Sequence, residues 1–521
     1  MNLKKTLSLI SLSLALCQSA FLCSAQGFVI VEGKSPHELN PQITSYSSDA
    51  QILTGLYEGL FSYNPLTLEA DYAIASDVRI SRDKKRWTIN LRQNAKFSNG
   101  EAITAVNVRN SWLRLLSDQR APYASLLDII WNASEYRHNR CVAENVGIYV
   151  TGEYSLSIRL NSPANYLPKV LCHSAFSVMA DEENVYSGPY VLAEKTEASY
   201  LLKKNPYYWD AENVKLEEIT FLQSDDEKEN AYLFNTGKAD WVTNNVFADS
   251  VINKNALMFR GLFGTAYYFF KHSRKNREKN GSFNPWDFPE FRNAILEALP
   301  WDALRANAAI PATTFVYPLS GYNAPEGFDY TDEKEAILMM EAAREKYERP
   351  SGEVYKLTFE VSEFTLSDDK KDAMKNALLP LGVELVFREI PSHLYLQNVA
   401  YSSSDLFAYT WIGDFADPLA FLELFRGASS LNDSGWMNED YDRLISAAAL
   451  SSDYERYKLL SQAEKILLDS GMVIPVYHPV SFNLINLDEV GGWSSNAFDI
   501  HPLKFLYRKE VMTKIPNVVM R

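Results

Sequence analysis

Two carboxylates lie inside an otherwise apolar stretch, WIGDFADPLAFLELF, which spans residues 411–425. Asp414 and Asp417 have aromatic and aliphatic neighbours in sequence, and the first basic residue after them is Arg426. A carboxylate that loses water on such a surface needs a compensating partner. That partner is either a basic side chain from elsewhere in the fold or a cationic group on a ligand. The stretch is therefore a candidate site for binding a cation.

The sequence lacks the common catalytic motifs. It has no G-x-S-x-G, H-E-x-x-H, C-x-x-C or G-x-x-x-x-G-K pattern, and its 7 histidines are not paired at the spacing of zinc ligands. A glycoside hydrolase would need two carboxylates facing each other across a cleft, whereas Asp414 and Asp417 are close neighbours in sequence. We expect a protein that is not an enzyme and that uses no metal or cofactor. A secreted carbohydrate-active enzyme remains the remote alternative.

The first 25 residues have the character of a secretory signal peptide. Two lysines precede the apolar stretch LSLISLSLAL, and Ala25 offers a small residue for cleavage before Gln26. Lipid attachment at Cys17 or Cys23 is the alternative, although a leucine precedes each of these cysteines. The segment 1–25 therefore predicts export to the periplasm, either as a free protein or in a lipid-anchored form.

After that cleavage two of the four cysteines remain, Cys141 and Cys172. In an oxidising compartment a pair of cysteines in an exported chain favours a disulfide. We predict a bridge between Cys141 and Cys172, and the alternative is two separate buried thiols.

The formal net charge of −15 argues against nucleic acid as a partner. The one dense basic run, KHSRKNREK at 271–279, is predicted to be a solvated loop. The chain is rich in rings, with 30 Tyr, 27 Phe and 10 Trp. This suits either a large pocket lined with aromatic side chains or simply a large aromatic core.

The elements that must position these residues follow two patterns along the chain. Residues 26–270 favour strands and include a predicted hairpin, DVRISRDKKRWTINLR, at 77–92. Residues 271–478 alternate helices and strands, and the strand–helix–strand order at 355–390 predicts a local parallel sheet. The C-terminal segment 479–521 is expected to return to the first part of the chain.

Several segments, taken in order, resemble the extracellular solute-binding protein family 5, the peptide- and nickel-binding components of bacterial ABC importers. The stretch LRLLSDQRAPYASLL at 113–127 is most similar to the oligopeptide-binding branch of that family. Other matching segments include GLYEGLF (55–61), RWTINLRQNAKFSNGEAITAVNVRNSW (86–112), SGPYVL (187–192), KNPYYWD (204–210), ITF (219–221), TGKADWV (236–242), NDSGWMNEDYDRLISAA (432–448) and IPVYHP (474–479).

The resemblance implies an α/β, two-lobed periplasmic binding protein-like fold of type II, cluster C, with the ligand buried between the lobes. The first lobe would span 26–270 and contain an extra β-rich domain at roughly 62–180. The second lobe would span 271–478, and 479–521 would rejoin the first. The implied ligand is a peptide bound in extended form, and the implied partners are the transmembrane subunits of an ABC permease. We expect the protein to be a monomer.

The family resemblance also assigns roles to individual residues. WIGDFADP corresponds to a W-x-x-D-x-x-x-P segment whose aspartate binds the α-ammonium of the peptide, which implies this role for Asp414. Trp411 and Gly413 belong to the same segment and are expected in the ligand site. Tyr123, in APYASLL, matches a tyrosine that faces the ligand's N-terminus.

Two further positions follow from the same resemblance. The backbone at Ser35 and Pro36 matches a strand–turn that pairs with the ligand. Asp417 matches a variable position beside the proline, so a structural role is expected for it.

The sequence departs from the oligopeptide-binding pattern in three places. Part of the family's connecting sequence is missing before YSGPY, and Tyr186 stands where a glycine is usual. Val399 and Ala408 occupy positions where oligopeptide binders carry arginines. The usual anchor for the ligand's C-terminus is therefore not implied. An alternative is that the same fold binds a modified peptide, a metal chelate or another amine-bearing solute.

Overall fold

The computed structural model describes the chain in four ranges, residues 27–44, 47–272, 283–451 and 453–510. The predicted signal peptide, its cleavage site and the two alternative lipid-attachment cysteines lie outside these ranges, as does most of the basic run. Within the four ranges, no helix combines the length and apolar character that a membrane span requires.

The first sheet has seven strands and is built around Phe28–Glu32. This strand is largely buried and lies between two parallel neighbours, Glu218–Gln223 and Trp241–Thr243. Val480–Ile485 joins the sheet antiparallel to Trp241–Thr243, so the C-terminal segment returns to the part where the chain begins. In spatial order the strands are Leu257–Gly261, Val480–Ile485, Trp241–Thr243, Phe28–Glu32, Glu218–Gln223, Ser199–Lys204 and Tyr190–Lys195.

The second sheet has six strands and is organised around Gly264–Phe270. All residues of this strand are buried, and antiparallel neighbours pair with it on both sides. This strand, which the predicted boundary at residue 270 placed in the first lobe, belongs to the second sheet in the structure. The predicted parallel pairing is confirmed between Tyr355–Ser362 and Val383–Ile390. In spatial order the strands are Ile310–Pro311, Val473–His478, Gly264–Phe270, Leu406–Ile412, Tyr355–Ser362 and Val383–Ile390.

A small sheet of four strands lies within residues 75–159. The predicted hairpin is confirmed as Ala75–Ile80 paired antiparallel with Arg86–Leu91. The helix Ala105–Ser117 follows, and its first turn is closed by Thr104 and Asn107, whose Oδ1 accepts a hydrogen bond from the Thr104 amide at 2.8 Å. The remaining strands of the small sheet are Ser155–Arg159 and Ile148–Gly152. Two further sheets have two strands each. One pairs Phe61–Tyr63 with Ala70–Tyr72, and the other pairs Val490–Gly491 with Tyr507–Arg508.

The chain crosses between the first and second sheets at two points that lie side by side. One crossing is at 262–263, between the strands that end at Gly261 and begin at Gly264. The other is at Pro479, and the Leu262 amide donates a hydrogen bond to its carbonyl at 2.8 Å. Because two short segments joined to each other make both crossings, this place is suited to act as a hinge.

Helices cover the sheets and fill the space between them. The α-helices in chain order are Ser47–Leu56, Ala105–Ser117, Ala133–Arg137, Leu167–Val170, Glu227–Asn235, Pro289–Ala298, Trp301–Arg305, Glu333–Lys346, Asp368–Leu378, Ser392–Tyr401, Leu419–Leu422, Glu439–Ala449 and Asp453–Asp469. Short 3-10 helices are Ala124–Leu127, Ala143–Asn145, Ser174–Phe176, Ala248–Ser250, Lys254–Ala256, Pro285–Asp287, Leu379–Leu381, Glu423–Phe425 and Leu503–Phe505.

The two cysteines predicted to form a disulfide are free thiols, so the structure contradicts that prediction. Cys141 Sγ donates to the carbonyl of Asn132 at 3.7 Å, and Cys172 Sγ donates to the carbonyl of Pro168 at 3.3 Å. Each thiol is held against the backbone of its own local turn, and burial raises the pKa of both. The chain between them contributes the strands Ile148–Gly152 and Ser155–Arg159 to the small four-stranded sheet.

Candidate functional site

Asp414 is held at the end of a central strand by a close backbone contact. The strand Leu406–Ile412 ends two residues before it, and the Gly413 amide donates to the carbonyl of Phe263 at 2.7 Å. A Cβ atom at Gly413 would lie 2.5 Å from the ring of Phe263, so a larger residue would displace that ring. The absence of a side chain at Gly413 therefore lets this segment pack against the crossing between the sheets.

The carboxyl group of Asp414 is surrounded by rings from the first part of the chain. Its side chain is 11% exposed, and His173 Nε2 lies 3.4 Å from Oδ1. The Tyr123 hydroxyl donates a hydrogen bond to the carboxylate, and the Tyr63 hydroxyl donates to the Asp414 backbone carbonyl. Within the described ranges, no lysine or arginine forms an ion pair with Asp414.

The contact between His173 and Asp414 has the distance of an ion pair but not its charges at neutral pH. His173 Nδ1 accepts a hydrogen bond from the Ala175 amide at 3.2 Å, which leaves Nε2 as the protonated nitrogen of a neutral ring. Burial lowers the pKa of His173 to about 4. His173 is therefore a neutral donor to Asp414 and does not balance its charge.

Burial also raises the pKa of Asp414 to about 8, against the opposite effect of the Tyr123 hydrogen bond. The ionised form is penalised because the carboxylate has lost water and has gained no cation. A cation bound here would reverse the shift by favouring the charged carboxylate. The site thus has the electrostatics of one half of an ion pair.

Two aromatic side chains form a wall beside the carboxylate. Tyr123 is 3% exposed, and its ring centroid lies 4.2 Å from that of His173 and 6.3 Å from that of Trp411. The Trp411 indole is fixed by a hydrogen bond from Nε1 to the carbonyl of Ala420 at 2.8 Å. The structure therefore brings Asp414, Trp411 and Tyr123 together, although Tyr123 is distant in sequence.

Asp417 has an internal partner, in contrast to Asp414. Its carboxylate forms a two-point ion pair with Arg456, in which Nη2 lies 2.8 Å from Oδ1, and both side chains are 7% exposed. The same carboxylate accepts a hydrogen bond from the Leu419 amide at 2.9 Å, at the start of a short helix. These contacts make Asp417 a structural residue, as its position beside the proline suggested.

A cavity of about 550 Å³ opens beside Trp411. Its walls come from the strands Gly264–Phe270 and Leu406–Ile412, from residues 119–122 and from the segment 430–434. Most of the lining is aromatic or aliphatic, and the charged residues along it are Arg120, Lys370 and Asp433. This size and lining are typical of a site that encloses a small ligand.

One edge of the strand Leu406–Ile412 is open toward this cavity. Along its whole length the strand pairs with Gly264–Phe270 on one side. On the other side only Leu406 and Phe407 pair with a strand, so within the described ranges residues 408–412 have no strand partner there. The Ala408 amide donates to the Tyr395 hydroxyl at 3.0 Å, which leaves residues 409–412 as the open part of the edge. An unpaired edge of this kind can accept an extended peptide through main-chain hydrogen bonds.

Ser35 and Pro36 lie apart from the residues around Asp414. They follow the first strand of the chain, Pro36 is exposed, and the Ser35 carbonyl accepts a hydrogen bond from the Gln223 side chain. Next to them, His37 is clamped between Glu32 and Asp49, and the hydrogen bonds to these carboxylates raise its pKa to about 9 despite burial. The described contacts tie this segment to the first sheet, and its pairing with a ligand stays a prediction.

Three contacts hold the two sides of the site against each other. Ser125 Oγ donates to Glu423 Oε1 at 3.2 Å, and Ser430 Oγ donates to the carbonyl of Pro122 at 2.7 Å. Arg137 Nη2 donates to the carbonyl of Ala428 at 2.8 Å. These bonds join residues 122–137 directly to residues 423–430.

Sequence reasoning did not find four side chains that shape the site, His173, Tyr63, Asp433 and Arg456. Each lies well apart along the chain from the residue it contacts, so no local spacing links the partners. Val399 is buried and Ala408 lines the cavity, so the arginines of oligopeptide binders have no equivalent at these positions.

In the part of the chain that the structure describes, no group of three or more His, Cys, Asp or Glu could hold a metal ion.

Comparison with known proteins places the chain among binding proteins. Residues 69–433 match the model of the bacterial extracellular solute-binding proteins, family 5. The dipeptide-binding protein DppE of Bacillus subtilis is 24% identical over 489 residues, which cover 88% of this chain and 87% of DppE.

Two solved structures share the fold. The murein tripeptide binding protein MppA of Escherichia coli superposes with a TM-score of 0.80 at 22% identity, over 93% of this chain and 99% of MppA. OppA of Listeria monocytogenes bound to peptide superposes with a TM-score of 0.78 at 23% identity, over 94% of this chain and 100% of OppA. The predicted two-lobed α/β fold is thereby confirmed.

Proposed function

The chain belongs to the bacterial extracellular solute-binding proteins of family 5, and from this premise we propose that it captures peptides for an ABC importer. In this proposal the protein is exported to the periplasm, binds a peptide between its lobes and releases it unchanged to the transmembrane subunits of a permease. It acts as a monomer and performs no chemistry on its ligand. DppE, a relative along most of both chains, is a dipeptide-binding protein, which supports this ligand class.

The observation that carries the proposal is the carboxylate of Asp414, which is buried and lacks a cation among the described residues. It follows Trp411, which lines the cavity, by three positions along the chain. The α-ammonium of a peptide would supply that cation. In a site from which Trp411 and Tyr123 exclude water, the attraction between the two charges is stronger than in bulk water. An amine at this position would therefore both fix one end of the ligand and stabilise the ionised carboxylate.

The remainder of the ligand would lie along the open edge of the strand Leu406–Ile412. Main-chain hydrogen bonds to residues 409–412 would hold a peptide in extended form with little dependence on its sequence. The backbone at Ser35 and Pro36 is proposed to pair with the ligand from the other lobe. Side chains of the ligand would enter the cavity, whose apolar walls accept different residues.

Calorimetric titration of the purified exported protein with tetra-alanine tests this proposal. Ethanolamine, which carries an ammonium group but no peptide backbone, is the matched control ligand. We expect saturable binding of one tetra-alanine per chain and no measurable binding of ethanolamine. If ethanolamine binds as tightly as tetra-alanine, the site recognises amine-bearing solutes in general, and the assignment of peptides as the ligand is wrong.

A further inference from the structure

A second carboxylate faces the cavity, at Asp433. Its Oδ2 accepts a hydrogen bond from the Tyr409 hydroxyl at 3.0 Å, and the side chain is exposed to the space that both residues line. Among the described residues, Asp433 forms no ion pair. The cavity therefore contains a negative charge that the protein itself does not balance by direct contact.

The basic groups nearby are occupied by other partners. Lys271 Nζ donates to three backbone carbonyls, those of Val399, Ala400 and Ser402. Arg120 is paired with Asp118 through two hydrogen bonds, at 2.7 and 3.1 Å.

Lys370 also lines the cavity, and its Nζ donates to the carbonyl of Leu304 at 2.9 Å. None of these three cations forms an ion pair with the Asp433 carboxylate in the described structure. The positive charge that acts on Asp433 from a distance is that of Lys271.

The loop that carries Asp433 holds the carboxylate in place before a ligand arrives. Asn432 Nδ2 donates to the carbonyls of Arg426 and Trp436, at 3.2 and 2.9 Å, and its Oδ1 accepts from the Ser434 hydroxyl. A charged group on such a braced loop loses little conformational freedom when it binds. Asp433 is thus a preorganised acceptor rather than a mobile surface residue.

The position of Asp433 relative to Asp414 suits one extended ligand. Tyr409, which contacts Asp433, and Trp411, which lies beside Asp414, are two residues apart on one strand and are therefore about 7 Å apart on the same face. The Tyr409 ring also provides an aromatic surface on which a cation can rest. A peptide whose amine is at Asp414 would pass Asp433 within reach of a long side chain.

We propose that Asp433 and Tyr409 form a subsite for a basic side chain, so that the protein prefers peptides with a lysine or arginine near the N-terminus. This inference rests on the proposed function, because it takes the ligand to be an extended peptide with its amine at Asp414. The subsite makes Asp433 a specificity-determining residue, whereas Asp414 serves any peptide with a free amine.

The test is a calorimetric scan of tetra-alanine and eight single-residue variants of it. Four variants carry lysine at positions one to four, and four carry norleucine, which has nearly the same length without the charge. Each peptide is titrated into the parent protein, Asp433→Asn, Asp433→Glu and the control Asp440→Asn, whose carboxylate is exposed and paired with Arg443 outside the cavity.

We expect the lysine peptide to bind the parent about 10-fold more tightly than the norleucine peptide at one position, the effect of a partly desolvated ion pair. Asp440→Asn and Asp433→Glu should keep this preference, and Asp433→Asn should reduce the ratio to about one. Two results would overturn the inference. One is equal affinities for lysine and norleucine at all four positions in the parent, as expected if the charge of Lys271 already balances Asp433. The other is a preference that survives in Asp433→Asn.

The same data separate this inference from the proposed function. If tetra-alanine binds and lysine confers no advantage, only the basic subsite is wrong. If none of the nine peptides binds the parent protein, the proposed function fails and the subsite fails with it.

Discussion

Replacement of Asp414 by asparagine should weaken the binding of peptides that have a free amine. Asparagine keeps the size of the side chain and an oxygen that can accept the Tyr123 hydrogen bond, but it removes the negative charge. Because the carboxyl group is 11% exposed and has no cationic partner among the described residues, the peptide amine would form its main ion pair. Removing one partner of a buried charge pair typically costs about 2–5 kcal/mol. The dissociation constant should therefore rise by about 30-fold to several thousand-fold.

The assay is calorimetry with tetra-alanine and N-acetyl-tetra-alanine on the parent protein and on Asp414→Asn. Acetylation removes the charge from the other side of the pair, so it should weaken binding to the parent by a similar factor. In Asp414→Asn, acetylation should add little further loss, because the interaction is already absent. Asp440→Asn, an exposed change of the same kind, should bind both peptides like the parent. If Asp414→Asn binds tetra-alanine as tightly as the parent and only its melting temperature falls, the anchor role of Asp414 is wrong.

Three further predictions concern stability, thiols and pH. Asp417→Asn should lower the free energy of unfolding by about 3–5 kcal/mol, since it leaves Arg456 buried without its partner; a denaturant curve identical to that of the parent would contradict this. Titration of the unfolded, unreduced chain that begins at Gln26 should find two reactive thiols, and a result of none would restore the disulfide. In the ligand-free protein, the raised pKa of Asp414 gives a stabilising contribution that is full below pH 4 and lost as pH rises to about 8. Asp414→Asn should therefore reduce the loss of thermal stability across that range, and an unchanged pH profile would contradict the shift.

The sequence predicted those parts of the fold that depend on local patterns. Alternating residues separated by RDKK specified the hairpin Ala75–Leu91, and the strand–helix–strand order specified the parallel pair Tyr355–Ser362 and Val383–Ile390. The boundary between the sheets was misplaced, because the strand Gly264–Phe270 is as β-prone as the strands before it. Only its pairing partners, which lie more than a hundred residues later in the chain, assign it to the second sheet.

The candidate site was predictable as far as a single stretch of sequence could reveal it. Asp414 could be selected because its neighbours are apolar and uncharged, but the same pattern also described Asp417. What separates the two is Arg456, which approaches Asp417 from a helix 39 positions later. His173 likewise reaches Asp414 through the fold, and no spacing rule connects them. The disulfide prediction failed for a related reason, since the number of cysteines says nothing about where their side chains lie.

Mass spectrometry of the ligand that remains bound to protein purified from the periplasm, without unfolding and refolding, tests the central claim most directly. Denaturation releases the ligand from the protein, and filtration removes the protein. The filtrate is then analysed before and after acetylation of free amines. The account predicts a mixture of short peptides of varied sequence, all with a free α-amine that acetylation modifies. A single defined non-peptide compound, or peptides whose N-termini are already blocked, would contradict it.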